Sequence, residues 1–324
     1  MQQPSSSLKR RGRRSVLTTV AGALAVTAVL AYVLADRRDE FGTALGAAPL
    51  WILLVATALQ LVALVSRTES WRICVAAAGG SVGRRCLFRA ASVGYLGSQL
   101  NSQVGTAARI AALRRAAPAE CPRAPALIAA EVPILAIEAV LAALASFTLV
   151  GPLGLPWWLP VLLLGVAVLL VAGLRDVARR WREGFWSGLA VLRSANGRSG
   201  IIALVLLAVF AQIARNWLML EAVGVEASVF DATAVLIAMV TLSQLPVGPS
   251  VGAASVVLIL GADGPALAAA AGVLLTATGT LGALAYAGWA GIDRLWALRP
   301  ASRRRVTARP HATQEPQPAI GVTG

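Results

Sequence analysis

The sequence is poor in the residues that most chemistry needs. Its one histidine, His311, stands in a polar stretch near the C-terminus, so a metal centre built on imidazoles is not expected. Three cysteines, Cys74, Cys86 and Cys121, are odd in number and lack a Cys-x-x-Cys spacing, which reads as reduced thiols without function. Acidic residues number 15 against 29 basic ones, and those that fall within apolar runs are too few to hold a metal. There is no His-Glu-x-x-His pair and no glycine-rich phosphate loop ending in lysine, so an intramembrane enzyme of lipid metabolism ranks behind non-enzymatic readings and no cofactor is expected.

Apolar residues are what the chain has in excess. Hydrophobic residues make up 57% and charged ones 14%, a balance that would leave a water-soluble fold of this size with much apolar surface exposed. The formal net charge of +14 would suggest nucleic acid if the basic residues formed one patch. They fall instead in short blocks between apolar runs, the pattern of membrane topology, and no nucleic acid partner is expected.

A helix needs about 20 apolar residues to cross about 30 Å of hydrocarbon. Six stretches qualify: Ser15 to Ala35, Ala48 to Ser66, Ala124 to Val150, Trp157 to Leu174, Ser199 to Leu220 and Pro265 to Ala290. With the N-terminus in the cytoplasm, 26 of the 29 basic residues fall on the cytoplasmic side. Only Arg37 and Arg38 then lie outside, and Arg215 within a span. The expectation is a polytopic all-α protein of a bacterial inner membrane with both termini cytoplasmic. A basic N-terminal segment (residues 1–14) would precede a membrane domain (15–294), and a disordered basic tail (295–324) would follow it. The opening "RRGRRSVLTTVAGALA" resembles a twin-arginine export signal, but an uncleaved first helix is the simpler reading.

Two segments are apolar yet broken. "LFRAASVGYLGSQLNSQVGTAARIAALRR" carries Gly94, Gly97 and Gly105 with Gln99, Asn101 and Gln103, and arginines flank both of its ends. It reads as a re-entrant hairpin from the cytoplasm. "ATAVLIAMVTLSQLPVGPSVGAASVVLILGADG" turns at Pro246, Gly248, Pro249 and Gly252, where a helix cannot continue, and by the same count it enters from outside. Such breaks survive at membrane depth only where protein or a water-filled cavity satisfies the backbone. Opposed hairpins are the product of an inverted repeat, in which breaks meet around a substrate. The plainer alternative makes each an ordinary pair of short spans joined by a turn.

Three stretches, "ESWRICVAAAGGSVGRRCLFRAASVGYLGSQLN", "VGTAARIAALRR" and "LSQLPVGPSVGAASVVLILGADG", resemble the transmembrane region of bacterial lysylphosphatidylglycerol synthases and related flippase-like membrane proteins. The resemblance runs from about Val16 to Arg294 and implies a lipid-handling cavity. The sequence departs from the family pattern in two places. Thr106 follows Gly105 where an acid is usual, and Ser255 or its apolar neighbours stand where the second loop closes with glutamate. Nothing resembles the soluble aminoacyl-transfer domain, so lysyl transfer is not expected.

Ionisable residues inside spans mark sites because each costs at least about 2.5 to 3.5 kcal/mol at a helix centre. Glu131 and Glu138 are seven apart on one face, and Gln212, Arg215 and Asn216 follow i, i+3, i+4 spacing. The candidate cavity residues are Arg109, Glu138 and Arg215, with Asn101, Gln103, Glu131, Gln212, Asn216, Gln244, Pro246 and Pro249. In the sharpest form, Arg109 and Arg215 hold a lipid phosphate in turn while Glu138 neutralises the pocket. In the plainer form Arg109 is one more positive-inside charge, Arg215 snorkels beside Trp217, and the amides bond between helices. The basic loop after Leu174 is expected to lie on the anionic leaflet as an amphipathic helix, with Trp181, Phe185, Trp186 and Leu189 toward acyl chains. Expected partners are membrane lipids, an anionic phospholipid or a polyprenyl-linked headgroup. The leading reading is a flippase-like translocase; a scaffold that kept the fold and lost the site is the alternative.

Overall fold

The computed structural model describes residues 37–99, 102–181, 183–243, 251–261 and 264–298. The expected first span, the basic N-terminus, most of the tail, and Asn101, Gln244, Pro246 and Pro249 lie outside the described residues. Those described form twelve α-helices: α1 Arg38–Ala47, α2 Leu50–Ala77, α3 Arg84–Ser98, α4 Ser102–Ala116, α5 Ala124–Ala129, α6 Val132–Ala145, α7 Val150–Leu153, α8 Trp158–Arg180, α9 Ala195–Ala222, α10 Val229–Leu242, α11 Val251–Leu260 and α12 Pro265–Leu298. Two 3₁₀ segments, Ser146–Leu149 and Gly184–Arg193, complete them, with no strand among the described residues.

Five helical runs are long and apolar enough to cross a membrane: α2, the interrupted run Ala124–Leu153, α8, α9 and α12. They coincide with five of the six expected spans, and the sixth is the one outside the described residues. Large apolar side chains face outward, among them Leu54, Leu162, Leu169, Phe210 and Phe230, an exterior suited to lipid. This is the architecture of a multi-pass all-α membrane protein.

The bundle is organised on α2 and α9, which pack against each other, with α12 against α2. At one end Ile52 and Ala56 of α2 join Met219 and Leu220 of α9 in a core with α10, α11 and α12. At the other, Trp71 and Val75 of α2 meet Ile201 and Val205 of α9 beside Leu87, Leu113 and Leu127. Ser194 caps α9 by accepting from the Gly197 amide at 3.2 Å, and Ser228 and Asp231 form a reciprocal capping box on α10.

Helices α3 and α4 form a close pair, each of 15 residues, about 22 Å and so shorter than the hydrocarbon is thick. Glycine permits the approach: a Cβ on Gly105 would stand 2.7 Å from the Gly94 carbonyl oxygen. A second contact of the same kind joins α11 to α12, where a Cβ on Gly272 would stand 2.3 Å from the Ala253 Cα.

Three expectations need correction. Helix α2 does not stop at Ser66 but runs to Ala77, because Thr68 and Ser70 bond back to the carbonyls of Leu64 and Ser66 and Glu69 pairs with Arg72 and Arg84. The third span is interrupted at Glu131, since Pro133 has no amide to donate into the preceding turn and begins a new helix. The basic loop is not an amphipathic α-helix: α8 continues to Arg180 and a 3₁₀ segment follows. Leu189 is fully buried, and Gly188 sits so close to α5 that a Cβ would meet the Ala126 carbonyl oxygen at 2.4 Å. Helix α12 continues to Leu298.

Candidate functional site: a charged cavity inside the bundle

Polar residues on an apolar helix need company, and here they find it in one place. A cavity of about 370 Å³ opens among α2, the α3–α4 pair, α6, α9 and α12. Gln60 and Arg67, seven apart on α2, and Glu131 and Glu138, seven apart across the break before α6, give it two facing polar stripes. Gly94, Tyr95, Ser98, Gly105, Thr106 and Arg109 supply the wall from α3 and α4, and Gln212 supplies the α9 side.

The charges pair across the cavity. The Arg109 guanidinium donates to the Glu131 carboxylate, with both side chains largely shielded, and lies 4.2 Å from the centre of the Trp71 ring. Arg67 Nη2 stands 2.6 Å from Glu138 Oε1. The Arg67 guanidinium thus occupies that carboxylate oxygen. Pro133 sets up the first pair: by breaking the helix it puts Glu131 at the N-cap of α6, facing α4. Tyr95 closes one side, donating to the Leu64 carbonyl oxygen at 3.0 Å and sharing a 3.1 Å bond with Thr68.

Arg215 stands behind this lining rather than on it. Its Nη1 donates to Gln60 Oε1 and to Gln212 Oε1, both at 3.0 Å, its Nη2 to Thr278 Oγ1 at 3.1 Å and to the Leu275 carbonyl oxygen. It is 3% exposed, so it does not snorkel to an interface beside Trp217, whose indole donates to the Ala227 carbonyl oxygen instead. Among the described residues no carboxylate pairs with it; neutral oxygens hold the charge. Gly279 makes room for it, since a Cβ there would stand 3.1 Å from Nη2.

Of the expected site residues the cavity therefore collects Arg109, Glu131, Glu138 and Gln212, with Arg215 one bond away. Asn216 is not part of it: fully buried, it reaches toward the Ala232 carbonyl oxygen at 3.4 Å, and its Oδ1 has no hydrogen-bond partner among the described residues. Gln103 is exposed on α4 outside the lining, while Asn101, Gln244, Pro246 and Pro249 are outside the described residues. Thr106 lines the cavity; Ser255 is buried and bonded to the Val251 carbonyl oxygen at 2.7 Å.

Sequence reasoning missed Gln60 and Arg67. Gln60 was a visible signal, an amide in mid-span, and Arg67 shares its face at i+7; hydropathy hid the latter by ending the span at Ser66. It also passed over two Gly-x-Ser-x-Gly stretches, Gly79 to Gly83 and Gly248 to Gly252. The serine of that motif works on a strand-to-helix turn beside a histidine. The first stretch follows α2 with no strand or histidine among the described residues, and most of the second is outside them. Groups of acidic, cysteine and histidine side chains fit to hold a metal are absent among the described residues.

No protein-family model matches the chain, and no curated protein matches it either.

Proposed function

We propose that the protein is a flippase-like membrane translocase that carries the headgroup of a phospholipid or other lipid-linked amphiphile across the bilayer, without chemistry on it. The observation that carries this reading is the cavity: about 370 Å³ of space within the bundle, its mixed wall carrying two arginines and two glutamates among apolar side chains. That volume is in the range of small-molecule sites. The arginine forks suit phosphate oxygens, and each carboxylate now paired with an arginine is a placeholder that a phosphate can displace. Glu138, on the cavity wall beside Arg67, is the group to receive a headgroup amine once a phosphate takes up that arginine.

Support for a path through the membrane comes from the α3–α4 pair, too short to span and flanked by arginines, which suits a re-entrant hairpin. The topology that goes with it has both termini in the cytoplasm of a bacterial inner membrane. In this reading the resemblance to the membrane region of lysylphosphatidylglycerol synthases reflects a shared lipid-handling cavity, without lysyl transfer.

A scaffold that retains the fold is the second reading. One observation favours it: Arg67, Arg109, Glu131 and Glu138 neutralise one another. The test is translocation of a headgroup-labelled fluorescent phospholipid in proteoliposomes, comparing the protein, its Arg109→Ala variant and protein-free vesicles. The translocase predicts transport by the protein well above the vesicle background and its loss in the variant. Rates at background for both proteins would leave the scaffold.

A further inference from the structure

A second basic site lies away from the cavity. At the C-terminal end of α8 a pocket of about 170 Å³ is lined by Arg175, Arg179, Leu192, Arg193 and Arg198, none of which borders the larger cavity. Four arginines line an open space large enough for one small anion.

The acids nearby do not answer this charge. Asp176 is taken by Arg180 at 2.8 Å, outside the pocket lining. Glu183 makes no ion pair, and Arg175, Arg179, Arg193 and Arg198 meet no carboxylate within ion-pair distance among the described residues. Arg193 is fixed in place: its Nε donates to the Ala178 carbonyl oxygen at 2.6 Å and its Nη2 to that of Trp181 at 2.9 Å. Those bonds satisfy carbonyls at the end of α8 and explain one arginine. They do not explain the other three, and Arg175 and Arg179 are an i, i+4 pair of like charge, which is unfavourable without an anion between them.

The depth fits a headgroup. From Trp158 to Leu174, α8 has 17 residues without a charge, about 25 Å of helix, so the arginines begin where a hydrocarbon layer that α8 crossed would end. Trp181, 60% exposed, stands beside them as an interfacial ring would.

We propose that this pocket binds a dianionic phosphate monoester, through bidentate contacts from Arg175, Arg179 and Arg198 around the fixed Arg193. The phosphate can be carried by a lipid in the adjoining leaflet or by a soluble phosphate compound. Neither source depends on the transport reading.

The test uses the full-length protein, delipidated in detergent, with binding measured by native mass spectrometry. The probes are dioctanoyl phosphatidic acid, dioctanoyl phosphatidylcholine, glycerol 3-phosphate and sodium phosphate. The variants are Arg179→Gln/Arg198→Gln, which removes two lining groups, and Arg180→Gln, which removes a charge from the same helix end but not from the pocket. All three side chains are on or near the surface, so folding should survive, and thermal unfolding checks it. Expected is binding of phosphatidic acid that weakens at least tenfold in the double variant and less than twofold in Arg180→Gln, with phosphatidylcholine much weaker throughout. Glycerol 3-phosphate binding with the same variant dependence would assign a soluble source; binding of phosphatidic acid alone would assign a lipid. Equal losses in Arg180→Gln and the double variant, or phosphatidylcholine binding as well as phosphatidic acid, would overturn the proposal.

Discussion

At the contact between α3 and α4, Gly94 and Gly105 bring two backbones together beside Arg109, Glu131 and a polar cavity. At the contact between α11 and α12, Gly252 and Gly272 do the same beside Ala253 and the Thr276 hydroxyl, and the only ionisable group described between Val229 and Gly261 is Asp231, spent on a helix cap. Close glycine packing is thus common to both regions and cannot itself be the signature of a site. The difference lies in what flanks it: the first contact is bordered by a helix break that frees a carboxylate, whereas Ser255 beside the second is turned back on its own helix.

The largest effect that separates the two regions should appear in transport. Arg109→Ala is expected to slow headgroup translocation in proteoliposomes at least tenfold, about 1.4 kcal/mol in barrier, while Ser255→Ala stays within about twofold. Next comes stability, where the regions should look alike. Gly105→Val and Gly272→Val each force a side chain into backbone closer than 3 Å, and each should cost roughly 1–3 kcal/mol in unfolding of the detergent-solubilised protein. A Gly272→Val variant that melts like the parent would show that the second contact is looser than described.

A third comparison concerns the charge pairs. Arg67→Glu should lower transport and stability because it sets a carboxylate against Glu138, and adding Glu138→Arg should restore part of both, with a coupling of about 0.5–3 kcal/mol. Additive losses would mean that the pair is incidental. The smallest effect is chemical. Burial pushes the Cys121 thiol up from its ordinary range, against a smaller opposing pull from Arg114. Its thiolate is therefore scarcer at neutral pH than that of an ordinary thiol, and maleimide labelling should be slow at pH 7 and go on quickening above the ordinary thiol range, where an unshifted thiol would level off.

Much of the fold is legible in the sequence because its driving term is local. Runs such as "WLPVLLLGVAVLLVAGL" need nothing beyond length and composition to be read as α8. The continuation of α2 through "RTESWR" is not legible, since hydropathy counts each polar side chain as exposed and cannot see that Thr68, Glu69 and Ser70 find partners inside the protein. The same blindness hid Arg67 from the site. The seven-residue spacing of Glu131 and Glu138 did show that they share a face, but which arginine meets which glutamate is a matter of tertiary contact across separate helices. The i, i+4, i+8 spacing of Trp181, Phe185 and Leu189 fits an amphipathic α-helix rather than the 3₁₀ segment that forms, because the packing of Gly188 on α5 and the burial of Leu189 are tertiary contacts that spacing does not show.

Water access to the wall of the cavity from one face tests the account at its root. In a Cys74→Ala, Cys86→Ser, Cys121→Ser background, Thr106→Cys on the lining and Val104→Cys on the exposed side of α4 are treated with a membrane-impermeant thiol reagent in intact spheroplasts and in inverted vesicles. The account predicts rapid modification of Thr106→Cys in inverted vesicles, where the cytoplasmic face is outward, and little at Val104→Cys. Modification of Thr106→Cys from the periplasmic face alone, or no modification from either, would contradict it.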